Sequence, residues 1–221
     1  HQDSFALVRM RRTTVQKIRA LFWDVGGVLH TNAWDHEERD QAVERFLLSK
    51  TEFEDRHKEL APRFEEGKLT FDEYLDRVIF YQPRTFSREE FKQFIFSLSK
   101  PKPQSLELAR ALSAKYFMGT INNESRELNE YRIRNFGLAE YFDVFVSSCY
   151  VGLRKPDQRI YKLALDLTQH TPEECCFIDD RPPNIEGATK AGFATVLMRD
   201  PQQLRRDLQA LGIEPSTVHP I

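Results

Sequence analysis

The run Arg19-Ala-Leu-Phe-Trp-Asp24 climbs from a basic residue through four apolar ones and stops at a carboxylate followed by Gly26-Gly27. Short apolar runs with abrupt glycine ends read as buried strands. The same texture returns at Tyr116 to Ile121, Val144 to Ser148, Cys175 to Asp179 and Ala194 to Met198, with helical patterns in between. Strands alternating with helices on this spacing require crossovers, so the expected fold is α/β with a parallel sheet covered on both faces.

From Asn32 to about Lys100 the pattern is helical throughout. Phe71, Tyr74, Leu75, Val78 and Ile79 recur at helical spacing, as do Phe91, Phe94, Ile95 and Leu98. Thr70 with Glu73 and Ser87 with Glu90 are capping boxes at their starts. Ala42, Val43, Phe46 and Leu47, then Phe53, Leu60 and Phe64, suggest two more helices. Further on, Gly137 closes a helix over Ser125 to Phe136. Thr171-Pro172-Glu173-Glu174 has the N-cap, proline and acidic first turn of a helix start. The division expected is an α/β core over 19–31 and 101–213, a helical insertion over 32–100, and residues 1–18 as an arm or tag remnant. An insertion after the first strand lies near the carboxyl ends of the strands, where open α/β sheets bind ligands. It is placed to act as a lid.

Composition narrows the function classes. Among 221 residues, 32 basic against 34 acidic side chains leave a net charge of -2, which offers no drive toward nucleic acid or anionic lipid. No run approaches the roughly 20 apolar residues of a membrane helix. Cys149, Cys175 and Cys176 have neither disulfide-framework nor zinc spacing, so a reducing cytoplasmic setting is expected. No glycine pattern of a dinucleotide site or P-loop follows any strand, and the glycosylation triplet at Asn123 reads as coincidence.

Three expected strand ends carry polar groups: Asp24, Asn122-Asn123 and Asp179-Asp180. Lys155, in Gly152-Leu-Arg-Lys-Pro156, follows a fourth. Separately, each has an ordinary reading as a turn residue, a helix cap or an exposed lysine. Together they face one crevice. Carboxylates converging there repel each other unless a cation sits between them, and hard oxygen ligands suit Mg²⁺. A lysine and backbone N–H groups nearby would hold a phosphate dianion, which outlines a phosphoryl-transfer site.

Phe-Trp-Asp24-Val-Gly-Gly-Val-Leu, Asn122-Asn123-Glu-Ser, Gly152-Leu-Arg-Lys155-Pro-Asp157 and Phe-Ile-Asp179-Asp180-Arg-Pro-Pro-Asn184 resemble the four ordered motifs of the haloacid dehalogenase-like hydrolase superfamily. The resemblance spans about Arg19 to Met198 and implies a Rossmann-like core with a C1-type helical cap. It implies that Asp24 attacks phosphorus in line, and that Asp24, Asp179 and the backbone carbonyl of Gly26 hold Mg²⁺. Lys155 would neutralise the nucleophile, Asn122 and Asn123 would contact phosphoryl oxygens, and Asp180 would orient Lys155 or a metal-bound water. The expected substrate is a small phosphorylated metabolite, the oligomeric state a monomer or homodimer.

Two positions depart from the family. Gly26 stands where most of its phosphatases carry an acid/base aspartate, and Asn122 where Ser or Thr is usual. Losing a positioned acid and base costs roughly 10²–10⁴-fold. His30 and His36 are candidate replacements. Gly26 also admits a metal-independent 2-haloacid dehalogenase, with Arg39, Arg45 or Arg63 on the substrate carboxylate, but the Asp179-Asp180 pair argues against it. A catalytically weak or inactive homologue acting as a binding protein is the third reading.

Overall fold

The computed structural model describes residues 17–216, so all but Lys17 and Ile18 of the expected N-terminal arm lies outside the described residues. In chain order the elements are β1 (Ala20–Trp23), α1 (His36–Arg45), α2 (Lys50–Glu65), α3 (Phe71–Val78), α4 (Arg88–Ser97), α5 (Pro103–Ser113), β2 (Phe117–Asn122), α6 (Arg126–Asn135), β3 (Val144–Ser147), α7 (Ser148–Val151), α8 (Gln158–Thr168), β4 (Cys175–Asp179), α9 (Pro182–Lys190), β5 (Ala194–Leu197) and α10 (Pro201–Ala210).

The five strands form one sheet in the order β3-β2-β1-β4-β5, and each neighbouring pair is parallel. The expected α/β Rossmann-like core is what the chain forms. Strand β1 is central and fully buried, which its unbroken run Ala-Leu-Phe-Trp already requires. The two faces of the sheet carry separate apolar clusters. Leu21, Trp23, Met118, Cys176 and Ile178 pack against α5 and α10, while Ala20, Phe22, Ile121 and Phe177 pack against α8 and α9. All three cysteines are free and buried. No described helix is long and apolar enough to cross a membrane.

Helices α1 to α4 build a third apolar cluster, which Leu128 and Tyr131 of α6 join. Aromatic rings dominate it: Phe64 stacks on Tyr74 with centroids 4.1 Å apart, and Trp34 meets Phe53 and Phe91 edge-on. At the start of α3 the Thr70–Glu73 capping box is reciprocal, and Phe71, Tyr74, Leu75 and Val78 all face inward. At the start of α4 the cap is one-sided: Ser87 accepts from the Glu90 N–H.

Two local expectations give way. Leu47, grouped above with an inward face, is 89% exposed at φ 51°, because α1 ends at Arg45 and the chain reverses there before Leu48 turns back in. Thr171-Pro172 opens only one 3₁₀ turn over Pro172–Glu174, since Cys175 enters β4 at once.

Candidate active site

Strands β1 and β4 are adjacent and parallel, so their carboxyl ends bring Asp24 and Asp179 side by side. The Asp24 N–H donates to the Ile178 carbonyl at 2.8 Å, continuing the ladder one residue beyond the strand. Lys155 reaches the same point from the loop after α7, and Asn123, just past β2, fixes that loop. Its Oδ1 accepts from the Lys155 N–H at 2.8 Å and its Nδ2 donates to the Lys155 carbonyl at 3.0 Å. The Lys155 ammonium then lies 2.9 Å from Asp24 Oδ1 and 2.6 Å from Asp179 Oδ2, with all three residues buried. Asp179 also accepts from the Arg181 N–H at 2.8 Å and from the Asn184 amide at 3.1 and 3.2 Å.

One ammonium does not balance the acidic charge here. Asp24, Asp179 and Asp180 can place one oxygen each within 4.8 Å of one another. Burial, then the charge of Asp179, raises the Asp24 carboxyl to about 7 against the pull of Lys155. Asp180 is raised by burial and again by Asp179. Lys155 moves up although burial opposes it, because Asp24 and Asp179 hold its proton. Oδ1 of Asp180 is buried without a hydrogen-bond partner. Oδ2 of the same carboxylate lies against Gly27, where a Cβ would come within 2.1 Å of it and the backbone sits at φ +83°. An orphaned carboxylate oxygen beside two further carboxylates is a donor set that fits a hard divalent cation such as Mg²⁺.

Above these groups lies a cavity of about 470 Å³, within the range of small-ligand sites. Asp24, Gly26, Asn123, Lys155 and Asn184 line its floor, and Trp34, Arg39, His57 and Phe64 line the wall built by the helical segment. Trp34 Nε1 donates to Tyr74 Oη at 2.9 Å, and the same hydroxyl shares a hydrogen bond of 2.7 Å with His57 Nδ1. Burial and Arg39 lower His57 to about 4, so it is neutral at neutral pH. The cavity's arginines already have partners. Arg39 forms a two-point contact with Glu54 at 2.8 and 3.1 Å, Arg154 meets Glu65 at 2.6 Å, and Arg181 meets Asp35 at 2.6 Å.

The sequence candidates thus separate. Asp24, Lys155, Asp179 and Asp180 converge, Gly26 and Asn123 line the cavity, and Asn123 acts on the lysine loop through its side chain. Asn122 is apart from them. It is 1% exposed, and its amide is engaged sideways by Ser147 Oγ at 2.8 Å and Asn129 Oδ1 at 2.9 Å, because alternation along β2 turns it away from its neighbour. His30 is sealed against Phe136, His36 is exposed on the first turn of α1, and neither lines the cavity. Of the three arginines, only Arg39 lines it.

Sequence reasoning missed Arg132 and Glu124, which also line the cavity. Arg132 is 1% exposed, and its guanidinium donates to Ser99, Glu124 and the Thr31 carbonyl. The available signal was an arginine four residues after Leu128 and four before Phe136, interrupting the apolar stripe of one helix.

Comparison with known proteins accords with this geometry. The chain is 28% identical to bifunctional epoxide hydrolase 2 of Sus scrofa over 87% of its length, spanning 38% of that longer protein. It is 31% identical to flavin mononucleotide hydrolase 1 of Arabidopsis thaliana, over 69% of this chain and 62% of that one. An (S)-2-haloacid dehalogenase of Burkholderia cepacia is 29% identical over 57% of this chain and 58% of its own. A HAD family enzyme of Bacteroides thetaiotaomicron, solved with magnesium and inorganic phosphate, superposes with a TM-score of 0.70 at 23% identity, over 82% of this chain and 94% of that one. The haloacid dehalogenase-like hydrolase model matches residues 18–192, and the chain belongs to that family.

Proposed function

We propose that the chain is a Mg²⁺-dependent phosphatase of a small phosphorylated metabolite, working through an aspartyl phosphate. The observation that carries this reading is the surplus of carboxylate at the strand ends: Asp24, Asp179 and Asp180 around one lysine, with the Asp180 oxygen unpartnered. Mg²⁺ held by Asp24, Asp179 and the Gly26 carbonyl, with Asp180 beside it, would neutralise charge on the phosphoryl oxygens.

The chain's own residues have the following parts. Asp24 is the nucleophile, and Lys155 keeps it ionised while offering positive charge to the transferred group. Asn123 holds the lysine loop at both backbone atoms. Asn184 and the Arg181 N–H fix the rotamer of Asp179, and so the place of its free lone pairs. The helical segment over 32–100 serves as the cap, with Trp34, His57 and Phe64 selecting the leaving group by shape and excluding water.

A metal-independent dehalogenase would need a cation free to receive a substrate carboxylate. Arg39 is tied at two points to Glu54, and the unpartnered Asp180 oxygen would repel such a substrate. The phosphatase reading is tested by phosphate release from a panel of sugar phosphates, nucleotides and organic-acid phosphates. Release should require Mg²⁺, stop with chelator and disappear in Asp24→Asn. Chelator-insensitive halide release from 2-haloacids would replace it with the dehalogenase. Intact biological activity in Asp24→Asn, with no phosphoenzyme, would replace it with the binding protein.

A further inference from the structure

The chain enters the α1–α4 helices through residues 29–31 and leaves them through residues 98–102, and the two passages are zipped together. The Thr31 N–H donates to the Lys100 carbonyl and the Lys102 N–H to the Leu29 carbonyl, each at 2.8 Å, with His30 and Pro101 bridged antiparallel between them. The Thr31 hydroxyl adds two bonds, donating to the Leu98 carbonyl at 2.7 Å and accepting from the Lys100 N–H at 2.8 Å. The entering passage is itself anchored on the loop after the nucleophile. There the Gly27 N–H donates to the His30 carbonyl at 2.7 Å, and the Leu29 N–H to the Val25 carbonyl at 2.9 Å.

Lys102 joins this ribbon to the acidic cluster. Its ammonium donates to the Gly27 carbonyl at 2.7 Å. Gly27 in turn lies against the Asp180 carboxylate, with no room for a Cβ between them. A glycine has no side chain to fix its peptide planes, so a charge-assisted bond on its carbonyl does that instead. The position of Lys102 gives an independent reason to look for such a task. It is the N-cap of α5, its side chain makes no cap bond, and it sets a cation at the positive end of the helix, where Ser, Thr, Asp or Asn would stabilise it. Helix stability does not account for a lysine there.

We infer that Lys102 is a positioning residue that couples the passage out of the α1–α4 helices to the metal site. Its bond to the Gly27 carbonyl holds the loop after Asp24, and with it Asp180 and the Gly26 carbonyl, in the arrangement that receives a divalent cation. The inference rests on the Mg²⁺ reading of the acidic cluster and deepens it. Coupling of this kind is reciprocal: if the tie favours the cation, the cation favours the tie. Mg²⁺ should hold the ribbon shut, and a movement of the helices that draws Lys102 away should loosen the metal.

The test titrates Mg²⁺ alone into the intact protein by calorimetry, for wild type, Lys102→Met, Lys102→Ser and Lys102→Arg. Lys102→Ser gives α5 the cap it lacks, which separates loss of the tie from loss of helix stability. The dissociation constant should rise at least roughly fivefold in Lys102→Met and Lys102→Ser. It should return toward the wild-type value in Lys102→Arg, whose guanidinium can donate to the same carbonyl. Hydrogen exchange reads the reciprocal effect: Mg²⁺ should slow the Thr31 and Lys102 amides in wild type and leave them unchanged in Lys102→Met. Wild-type affinity in both Lys102→Met and Lys102→Ser overturns the inference and leaves the phosphatase reading in place. A wild type that takes up no Mg²⁺ and whose phosphate release is indifferent to chelator overturns the Mg²⁺-dependent reading and the inference with it.

Discussion

Nε of Arg132 donates to the Ser99 hydroxyl at 2.9 Å, joining α6 of the sheet to the segment by which the chain leaves the α1–α4 helices. The same guanidinium donates to the carbonyl of Thr31, on the segment by which the chain enters them, at 2.9 Å. One buried fork thus clamps both connections, with Glu124 as counter-ion. Arg132→Met should cost up to about 3 kcal/mol, because it leaves the mostly buried Glu124 without its partner. Arg132→Lys should not restore the stability, since one ammonium cannot replace a planar fork reaching three directions. Urea unfolding of the three proteins measures this, and a wild-type midpoint in Arg132→Lys would refute the clamp.

Gly27→Ala should disable the acidic cluster without touching a carboxylate. A methyl there meets Asp180 Oδ2 at 2.1 Å, and the backbone at φ +83° adds about 1–2 kcal/mol of strain for any L side chain. Asp180 must move. The expected outcome is a folded protein whose melting temperature no longer responds to Mg²⁺ and whose phosphate release is lost.

The sheet was legible because buried parallel strands are short apolar runs whose ends are punctuated, and Asp24, Asp179 and Gly27 sit at that punctuation. The acidic cluster followed from strand ends of a parallel sheet facing one crevice, and its ligand set from the family resemblance. Asn122 was not legible, because which of two adjacent asparagines faces the cavity depends on the pleat at the end of β2. Arg132 was hidden for another reason: its partners Ser99, Thr31 and Glu124 are distant in sequence or on another element, and only packing brings them to one guanidinium.

The surplus of carboxylate should make the metal-free protein less stable than it could be. Mg²⁺ at 100 times its dissociation constant should raise stability by about 2.7 kcal/mol if it binds the folded state alone. Asp24→Asn removes one of the repelling charges, so its metal-free form should melt above the metal-free wild type while having no activity. Differential scanning calorimetry with Mg²⁺ and with EDTA checks both, and a metal-free Asp24→Asn that melts below wild type would count against the repulsion.

His30 should make folding sensitive to acid. It is 0% exposed, neither ring nitrogen has a hydrogen-bond partner, and burial followed by the charge of Arg132 lowers its pKa from 6.5 to about 3. Above pH 6.5 the imidazole is neutral in both the folded and the unfolded chain, so its contribution there is constant. As pH falls below 6.5 the unfolded chain takes up a proton that the folded chain refuses, and stability declines until about pH 3. The loss approaches roughly 1.4 kcal/mol per pH unit. His57, lowered to about 4, acts in the same direction over a shorter range. Asp24 acts oppositely in the metal-free protein, because its carboxyl is raised to about 7 and the folded state there gains protons on acidification. The contribution of His30 is therefore read as a difference, by urea unfolding of wild type and His30→Leu with Mg²⁺ at pH 7.5 and 5.5. Wild type should lose about 1 kcal/mol more than the variant over this interval. Parallel losses in the two proteins would show that His30 finds a partner for its proton in the folded state.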